Sequence, residues 1–362
     1  MTDRHFVLNG KFLRAPPTGV HRVAIELSRS LAELIAEGHP QARGLSLSGL
    51  APHDGMVRAG ELPFAVRQLG PLTGIPWEQL VLPFHRRRGT LLSLCNIGPV
   101  VSRDAVTMIH DVQVLLSPQS YGRGFRYWYR TLQPAIARRN RQLLTVSDYS
   151  RRQIVAAGLC AADKVSVVHN GCDHILREIP DPRAFDRLGL EAGRYVLALA
   201  NTQAHKNIGV LLRAFAALEL VDVKLVLFGG ADRAAFEAAG HTVAPNTVFA
   251  GRIDDGELRY LLEQALCLAF PSTTEGFGLP PAEAMLLGCP AVVAPCGALP
   301  EVCGDAALYA DPDDVGAWGD RIAGLAASPG LRAELAERGR EHCKSYSWRN
   351  AAITLATILS RI

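Results

Sequence analysis

The sequence predicts an α/β protein built from two Rossmann-like, doubly wound domains that face a cleft, and three observations predict it. The 362-residue chain exceeds the length at which a single core usually stops growing, so two domains are expected. Short apolar segments alternate with helical patterns in both halves, which favours parallel sheets covered by helices on both faces. Glycines and polar side chains follow several of these segments, at the strand ends where such sheets bind ligands.

The first half opens with a strand, a turn and a helix. Residues 6–9 have the apolar character of a buried strand, and residues 20–35 place apolar side chains at helical spacing. Gly19, at the turn between them, suits a close approach of the backbone to a phosphate, although a plain helix start explains it as well. Six further strand-like segments follow: 45–50, 64–69, 91–94, 105–110, 142–147 and 164–169. His110 ends one of them, where a capping role and a functional role are equally open.

The second half repeats the alternation after a loop rich in charge and proline near residues 179–183. Its strand-like segments are 195–200, 224–228, 247–249, 266–270, 291–294 and 307–309. We therefore expect one domain at residues 1–178, a second at 179–345, and a C-terminal helical segment at 346–362.

One stretch, residues 271–285, carries the strongest functional signal. It joins an apolar strand to a helix that opens near Leu279, where two prolines are tolerated because the first turn of a helix needs no N–H donors. Gly276 and Gly278 let the turn approach a ligand closely, and the N–H groups and dipole of the new helix favour a phosphate there.

Charged side chains at this turn and at a neighbouring strand end favour the same kind of ligand. Glu275 and Glu283 flank the turn, and carboxylates accept hydrogen bonds from sugar hydroxyls. Lys206 follows another strand and supplies a compact positive charge suited to a diphosphate, although a lone lysine is also consistent with simple exposure to solvent. Asp254 and Asp255 are explained adequately as helix N-caps.

Composition and charge limit the partners. Eight cysteines are scattered without metal-binding spacing, and no Asp-x-Asp metal site is evident, so we expect reduced thiols in a cytosolic protein and no required metal. No signal peptide and no apolar run of about 18 residues is recognised, so no membrane-spanning helix is expected. Residues 1–180 hold 22 Lys and Arg against 13 Asp and Glu, whereas the whole chain carries only +3. The basic first half favours an anionic partner, either a phosphate-bearing substrate or an acidic membrane surface.

Residues 123–141 have the pattern of a basic amphipathic helix. The apolar positions expected on one face are Phe125, Trp128, Tyr129, Leu132 and Ile136. The arginines considered for an acceptor or membrane face are Arg123, Arg126 and Arg130, with a second cluster at Arg86, Arg87 and Arg88. Such a helix can rest on an anionic membrane, while a core helix with a solvated arginine face is the plainer interpretation. Nucleic acid is not expected, because no recognised binding module accompanies the charge.

The stretch Glu275-Gly-Phe-Gly-Leu279, with Glu283 after it, resembles the signature of retaining, nucleotide-sugar-dependent glycosyltransferases of family 4, which have the two-domain GT-B fold. The resemblance is strong over residues 190–350 and looser over 1–180. It implies that the first domain binds the acceptor and the second binds the nucleotide sugar. It also implies that the segment 346–362 crosses back to the first domain.

The resemblance also implies roles for individual residues. The donor-binding set would be Gly19, Lys206, Arg252, Ile253, Glu275, Gly276, Phe277, Gly278, Leu279 and Glu283. Lys206 and the helix N-terminus would stabilise the departing diphosphate, while Glu275 would hold hexose hydroxyls and Glu283 the ribose hydroxyls. His110 would contact the donor sugar near the reaction centre, and backbone groups around Arg252 would hold the nucleobase. Gln203 or His205 stands where the family often carries a further arginine. The anomeric configuration would be retained without a protein nucleophile, and no cofactor beyond the donor is expected.

We therefore predict a hexosyltransferase that uses a nucleotide sugar. GDP-mannose is favoured because the opening at residues 18–22 resembles mannosyltransferases of the family, and UDP or dTDP sugars stay open. The expected acceptor is a polysaccharide precursor linked to polyprenyl diphosphate, at the inner face of a bacterial membrane. Transfer to a small soluble acceptor, and a non-catalytic regulator that binds nucleotide sugars, are the alternatives.

Overall fold

The computed structural model describes residues 4–14, 18–85, 89–116, 122–217 and 222–362. The chain divides into two compact units. Unit 1 comprises Met1–Gly171 and Tyr346–Ile362, and unit 2 comprises Cys172–Ser345. Each unit carries one parallel sheet, as the alternating sequence pattern predicts.

Unit 1 contains a seven-stranded sheet in the order β3-β2-β1-β4-β5-β6-β7. Its strands are β1 (Arg4–Asn9), β2 (Leu45–Ala51), β3 (Val66–Gln68), β4 (Thr90–Ser93), β5 (Ala105–Met108), β6 (Gln142–Thr145) and β7 (Val165–Val167). Every residue of β5 is buried, which explains why the central strands have continuous apolar runs rather than an alternation. The strand order reverses between β1 and β4, and this is the point at which such sheets open a crevice at their carboxyl ends.

Unit 2 contains a six-stranded sheet in the order β10-β9-β8-β11-β12-β13. Its strands are β8 (Tyr195–Leu199), β9 (Lys224–Phe228), β10 (Thr247–Gly251), β11 (Cys267–Phe270), β12 (Ala291–Val293) and β13 (Leu308–Tyr309). The order reverses between β8 and β11. β8 therefore pairs with β9 on one side and with β11 on the other, and the loops that leave β8 and β11 diverge from the switch point.

Helices connect the strands of both sheets. Those of unit 1 before the boundary are α1 (Gly19–Ala36), α2 (Gly74–Leu80), α3 (Leu82–His85), α4 (Gln113–Leu116), α5 (Arg123–Arg139) and α6 (Asp148–Ala156). Those of unit 2 are α7 (Arg183–Arg187), α8 (Ile208–Ala217), α9 (Arg233–Ala238), α10 (Asp255–Gln264), α11 (Leu279–Leu287), α12 (Leu299–Cys303), α13 (Val315–Ala327) and α14 (Pro329–Cys343). The final helix, α15 (Trp348–Leu359), belongs to unit 1.

Helix α15 is built into unit 1 by an apolar face and by its first turn. Trp348, Leu355 and Leu359 are buried, and α15 packs against α1. Its first turn is capped by the Ser347 side chain. A Cβ added at Gly171 would lie 2.2 Å from the backbone nitrogen of Trp348, so only glycine fits where the chain leaves unit 1.

The boundary of the second unit lies earlier than the sequence predicts. Residues 172–178, expected in the first domain, lie in unit 2 instead. The reason is a 3-10 helix at Asp173–Arg177 that packs against α10 and α11 and buries Ile175 in the apolar cluster of unit 2. None of the helices in the described residues is long and apolar enough to cross a membrane.

Candidate functional site

The turn before α11 is held in a conformation that requires glycine. Gly278 is the N-cap residue of α11 and has a φ of 101°. A Cβ at this position would also lie only 2.6 Å from the Cδ2 atom of Leu299. The helix begins at Leu279, as the sequence predicts. Pro280 and Pro281 have no N–H, so this end offers an anion the backbone N–H of Leu279 and the helix dipole.

Lys206 and Glu275 form an ion pair at the switch point of the unit 2 sheet. Lys206 Nζ donates to Glu275 Oε1 over 2.6 Å, and the two side chains are only 16% and 11% exposed. The Lys206 ammonium also lies 5.8 Å from the centre of the Phe270 ring. The sequence assigned these residues to separate ligand groups, and the structure brings them together, so each already has a partner of opposite charge before any ligand arrives.

The loops that carry this pair are fastened to each other. The Thr273 backbone N–H and hydroxyl both donate to the carbonyl oxygen of His205, over 2.8 and 3.3 Å. Asn207 follows in the left-handed conformation, with φ of 53°, and its side-chain amide donates to the Pro312 carbonyl over 2.7 Å. The backbone around Lys206 is therefore held by two other segments of the chain, one at Thr273 before α11 and one at Pro312.

His205 does not replace the arginine that family members often carry near this lysine. The side chain is buried, and burial, followed by the charge of Lys206, lowers the pKa of His205. The imidazole is therefore neutral near pH 7 and adds no positive charge to the site. Lys206 is the cation that the loop after β8 supplies.

Arg252 lies at the end of β10, near the glycines that follow β9. A Cβ added at Gly230 would lie 3.6 Å from Arg252 Nη2, so the guanidinium passes over this part of the backbone. Arg252 itself is exposed, while Ile253 packs against the apolar cluster of unit 2. Asp254 caps α10 in a reciprocal arrangement with Glu257, which confirms the structural interpretation of that aspartate.

Glu283 lies in the second turn of α11 and is buried. Its Oε1 atom lies 3.1 Å from Nε2 of His174, a residue of the 3-10 helix at the start of unit 2. Sequence reasoning missed His174, because a single histidine in a polar segment carries no signal of its own and the two residues are far apart in the chain.

In unit 1, His110 is buried just beyond the end of β5. Its Nε2–H donates to the Leu94 carbonyl over 2.8 Å, and its backbone N–H donates to Asn96 Oδ1 over 2.7 Å. Burial lowers the pKa of His110 to about 4, so the ring is neutral at physiological pH. Asn96 holds the left-handed conformation, with φ of 63°, a strained arrangement that clusters at functional sites.

A buried carboxylate lies at the switch point of the unit 1 sheet. The side-chain amide of Asn9 donates to Glu78 Oε1 over 2.6 Å and to Ser93 Oγ over 3.2 Å, and Lys11 forms an ion pair with Glu78 Oε2. Glu78 is fully buried. Sequence reasoning missed this network, since a glutamate in a short helix is ordinarily solvated.

A cavity of about 270 Å³ opens in unit 1. Lys11, Arg14 and His21 contribute polar groups to its lining, and Phe12 and Tyr129 contribute aromatic rings. The cavity thus combines hydrogen-bonding groups with flat apolar surfaces, which is the mixture found in sites for small polar molecules.

The remaining predicted residues lie elsewhere in unit 1. Gly19 is the first residue of α1, and Arg86, Arg87 and Arg88 lie outside the described residues. Arg123 and Arg130 of α5 are exposed, and Arg126 is half-buried.

The predicted apolar face of α5 is wrong at Trp128, and the side chain of Phe125 lies outside the part of the chain that the structure describes. Trp128 is 45% exposed, whereas Tyr129, Leu132 and Ile136 pack in the core of unit 1. The reason is helical geometry, since neighbouring residues point about 100° apart and Trp128 lies beside the stripe rather than within it.

The family model described as "Glycosyl transferases group 1" matches residues 182–342, which contain Lys206, Glu275 and Glu283. O-antigen chain mannosyltransferase B of Escherichia coli is 31% identical over 257 residues, covering 68% of this chain and 67% of the relative. The chain belongs to the group 1 glycosyltransferases. A second relative, MMP alpha-(1->4)-mannosyltransferase of Mycolicibacterium hassiacum, is 28% identical over 315 residues. The match covers 82% of this chain and 74% of the relative.

Solved structures show that this group 1 glycosyltransferase has the GT-B fold. Sucrose-phosphate synthase from Thermosynechococcus elongatus superposes with a TM-score of 0.73 at 18% identity, covering 99% of this chain and 98% of the other. HepE of Anabaena, solved in complex with UDP and glucose, gives a TM-score of 0.73 at 17% identity, and the match covers 99% of this chain and 100% of HepE. At these identities the likeness establishes the fold alone.

Proposed function

We propose that this group 1 glycosyltransferase is a retaining enzyme that moves a hexose from a nucleotide sugar to a glycan acceptor. The observation that carries the proposal is the partly buried Lys206–Glu275 pair at the switch point of unit 2, beside the glycine turn that begins α11. A cation for the diphosphate and a carboxylate for the sugar hydroxyls then stand 2.6 Å apart, at the strand ends where α/β sheets bind ligands.

In this proposal, unit 2 binds the donor along the strand ends. Lys206 and the N-terminus of α11 hold the diphosphate, and Glu275 accepts hydrogen bonds from the hexose. Glu283 accepts hydrogen bonds from the ribose, and backbone groups around Arg252 and Ile253 hold the nucleobase. Roles for Gly19 and His110 toward the donor stay predictions from the family resemblance, as do those for the backbone of Gly276, Phe277 and Leu279.

The main requirement of the chemical step is stabilisation of the negative charge on the leaving diphosphate. The bond between the anomeric carbon and the diphosphate oxygen breaks, and the electron pair stays on the diphosphate. The acceptor oxygen bonds to the anomeric carbon from the same face, and its proton passes to the departing diphosphate. Negative charge therefore develops near Lys206, where a positioned donor typically contributes ~3–4 kcal/mol to transition-state stabilisation. This route uses no protein nucleophile, and we propose that it needs no metal ion or further cofactor.

GDP-mannose is the donor that we favour. The support is the resemblance of residues 18–22 to mannosyltransferases and the names of two relatives, an O-antigen chain mannosyltransferase and an MMP alpha-(1->4)-mannosyltransferase. The first name also supports a polysaccharide precursor as acceptor, and we propose that this precursor is lipid-linked.

Unit 1 offers the groups for such an acceptor. Its cavity has donors and acceptors for sugar hydroxyls and aromatic rings on which the C–H faces of a sugar can pack. Exposed Tyr127 and Trp128, with the neighbouring arginines of α5, suit peripheral contact with an anionic membrane, and salt-sensitive binding to phosphatidylglycerol vesicles measures that contact.

A nucleotide panel tests the proposed function. Thermal unfolding is followed with GDP, UDP, dTDP and ADP, each with its sugar conjugate. A nucleotide at a hundredfold excess over its dissociation constant raises the free energy of unfolding by about 2.7 kcal/mol. We expect GDP and GDP-mannose to stabilise the protein, and donor turnover to fall by roughly 10²–10³-fold in Lys206→Met.

Lys344→Met is the matched control, because Lys344 is exposed at the end of α14 and pairs only with surface groups among the described residues. Turnover should be unchanged in this variant. If no nucleotide stabilises the wild-type protein, the proposed function is wrong. Stabilisation by UDP or dTDP alone contradicts only the choice of GDP-mannose.

A further inference from the structure

The carboxylate of Glu283 is held by a buried histidine that no part of the donor-site signature contains. His174 Nε2 lies 3.1 Å from Glu283 Oε1, and the two side chains are only 3% and 8% exposed. A hydrogen bond in such a dry environment is stronger than the same bond in water, and a buried carboxylate without a partner is costly. The pair is therefore a fixed feature of the site rather than an incidental surface contact.

His174 is itself held firmly in place. The 3-10 helix Asp173–Arg177 packs against α10 and α11, and the residue after His174, Ile175, is buried in the same apolar cluster as Ala284 and Leu287 of α11. The Arg259 guanidinium of α10 donates to the carbonyl oxygens of Leu176 and Glu178, over 2.8 and 2.7 Å. The imidazole thus projects from a backbone that is fixed on both sides.

The surroundings of the pair are mostly apolar or neutral. Cys172, two residues before His174, is fully buried, and its contact with the buried Cys343 thiol, together with burial, raises the pKa of Cys172. The Cys172 thiol is therefore uncharged. The charged groups that the neighbouring elements bring toward this segment are Glu283 of α11, Arg259 of α10 and Asp173.

A carboxylate has acceptor sites on two oxygens. A hydrogen bond from His174 to Oε1 fixes the rotation of the group, while acceptor capacity stays on the carboxylate for a ligand. Hydrogen bonds to a diol depend on this rotation, since the two hydroxyls of a ribose must both meet oxygen lone pairs in a narrow range of angles. A freely rotating carboxylate would meet that requirement only part of the time.

We propose that His174 is a positioning residue that orients Glu283 toward the ribose hydroxyls of the donor, and so sets the preference of the enzyme for ribonucleotides. This inference rests on the proposed donor site. Removal of the histidine should lower the overall affinity for nucleotides. It should also weaken the discrimination between nucleotides with and without ribose hydroxyls.

The test compares GDP with 2′,3′-dideoxy-GDP, and UDP with 2′,3′-dideoxy-UDP, by isothermal titration calorimetry. In the wild type we expect the ribonucleotide to bind about 10²- to 10⁴-fold more tightly than its dideoxy analogue, the range for two hydrogen bonds to a charged group. Glu283→Ala should bring the ratio close to one. His174→Ala should lower the ratio by about tenfold, and His174→Gln should restore part of it, since an amide N–H can donate to the same oxygen.

His241→Ala is the matched control, because His241 lies in the loop after α9 and contacts the Phe236 ring. In His241→Ala, the ratio of ribonucleotide affinity to dideoxynucleotide affinity should equal that of the wild type. If His174→Ala lowers the melting temperature but leaves the ratio unchanged, His174 is only structural and the inference is overturned. If that variant does not fold, His174→Phe, which keeps the ring volume without the donor, decides the same question. A wild type that binds no nucleotide overturns the proposed function itself, whereas a wild type that binds without discrimination overturns only this inference.

Discussion

Lys206 and Glu275 compensate each other's charge while the site holds no ligand. A lysine that faced the site alone would be drawn toward solvent, and a buried carboxylate alone would be costly. The ion pair keeps both side chains at the end of the sheet, and the nearby Phe270 ring adds a contact to the ammonium. In the proposed donor site the Lys206 ammonium is thus in place before a diphosphate arrives, which is the arrangement that electrostatic catalysis requires.

The buried His110 makes the stability of the protein depend on pH. Its pKa is about 4 in the folded state and near the ordinary value of about 6.5 in the unfolded chain, so the unfolded state binds a proton first as pH falls. The stabilisation is fully present above pH ~6.5 and is lost as pH falls from there to ~4, by an amount on the order of 3 kcal/mol.

Urea unfolding of the wild type and of His110→Gln at several pH values checks this expectation. The difference in unfolding free energy between the two proteins should shrink as pH falls from 7 to 4. Because the pKa of His205 is also lowered, the wild-type curve alone does not isolate His110, whereas the difference does. A difference that stays constant over this range would contradict the prediction.

The sequence identified single residues of the candidate site better than their partners. Glu275, Glu283 and Lys206 stand out because their residue types follow strands and a glycine turn. Their partnerships depend on which chain segments meet in space, and His174 and Glu283 lie in segments that the linear order separates by most of unit 2. Local spacing carries no information about such contacts, and for this reason His174 and Glu78 were missed.

At the scale of elements, the start of α11 depends on one backbone conformation. Gly278→Ala places a side chain at φ of 101° and within 2.6 Å of Leu299. We expect a loss of stability of about 1–3 kcal/mol, together with weaker binding of nucleotide, because the turn that presents the helix N-terminus is distorted. Urea unfolding and nucleotide titration measure the two effects.

Gly324→Ala is the control for that experiment. Gly324 lies inside α13, is exposed, and has no neighbouring atom within 4 Å of an added Cβ. The same substitution there should stabilise the protein by roughly 0.5–1 kcal/mol, because alanine favours the helix. If both variants are equally stable, the left-handed turn is not the strained element that the structure indicates.

The strands and the larger helices were predictable because burial on both faces leaves long apolar runs. Strand ends were less predictable, and β5 ends at Met108, before His110. Ile109 continues the apolar run and still donates its backbone N–H to Leu144 of β6, whereas His110 donates its own to the loop residue Asn96. Composition alone does not distinguish the last residue of a strand from the residue that immediately follows the strand.

Helix α15, which follows unit 2 in the chain, supports unit 1. Leu355 of α15 is fully buried, and α15 packs on α1. We expect Leu355→Ala to destabilise unit 1 by about 2–5 kcal/mol, the usual cost of such a cavity. Hydrogen exchange followed by mass spectrometry should show faster exchange in α1 and α15 and little change in unit 2.

Thr354→Ala is the matched control, since Thr354 is exposed on the same helix. This substitution should leave the hydrogen-exchange pattern as it is in the wild type. Faster exchange throughout unit 2 in Leu355→Ala would contradict the assignment of α15 to unit 1.

The chain crosses between the units twice, after Gly171 and after Ser345, so unit 2 is inserted within the sequence of unit 1. During synthesis on the ribosome, the complete sequence of unit 2 is made before α15. Domains generally fold as units as they appear, yet unit 1 lacks helix α15 until all of unit 2 has been synthesised. The domain whose synthesis begins first is therefore the last to be completed.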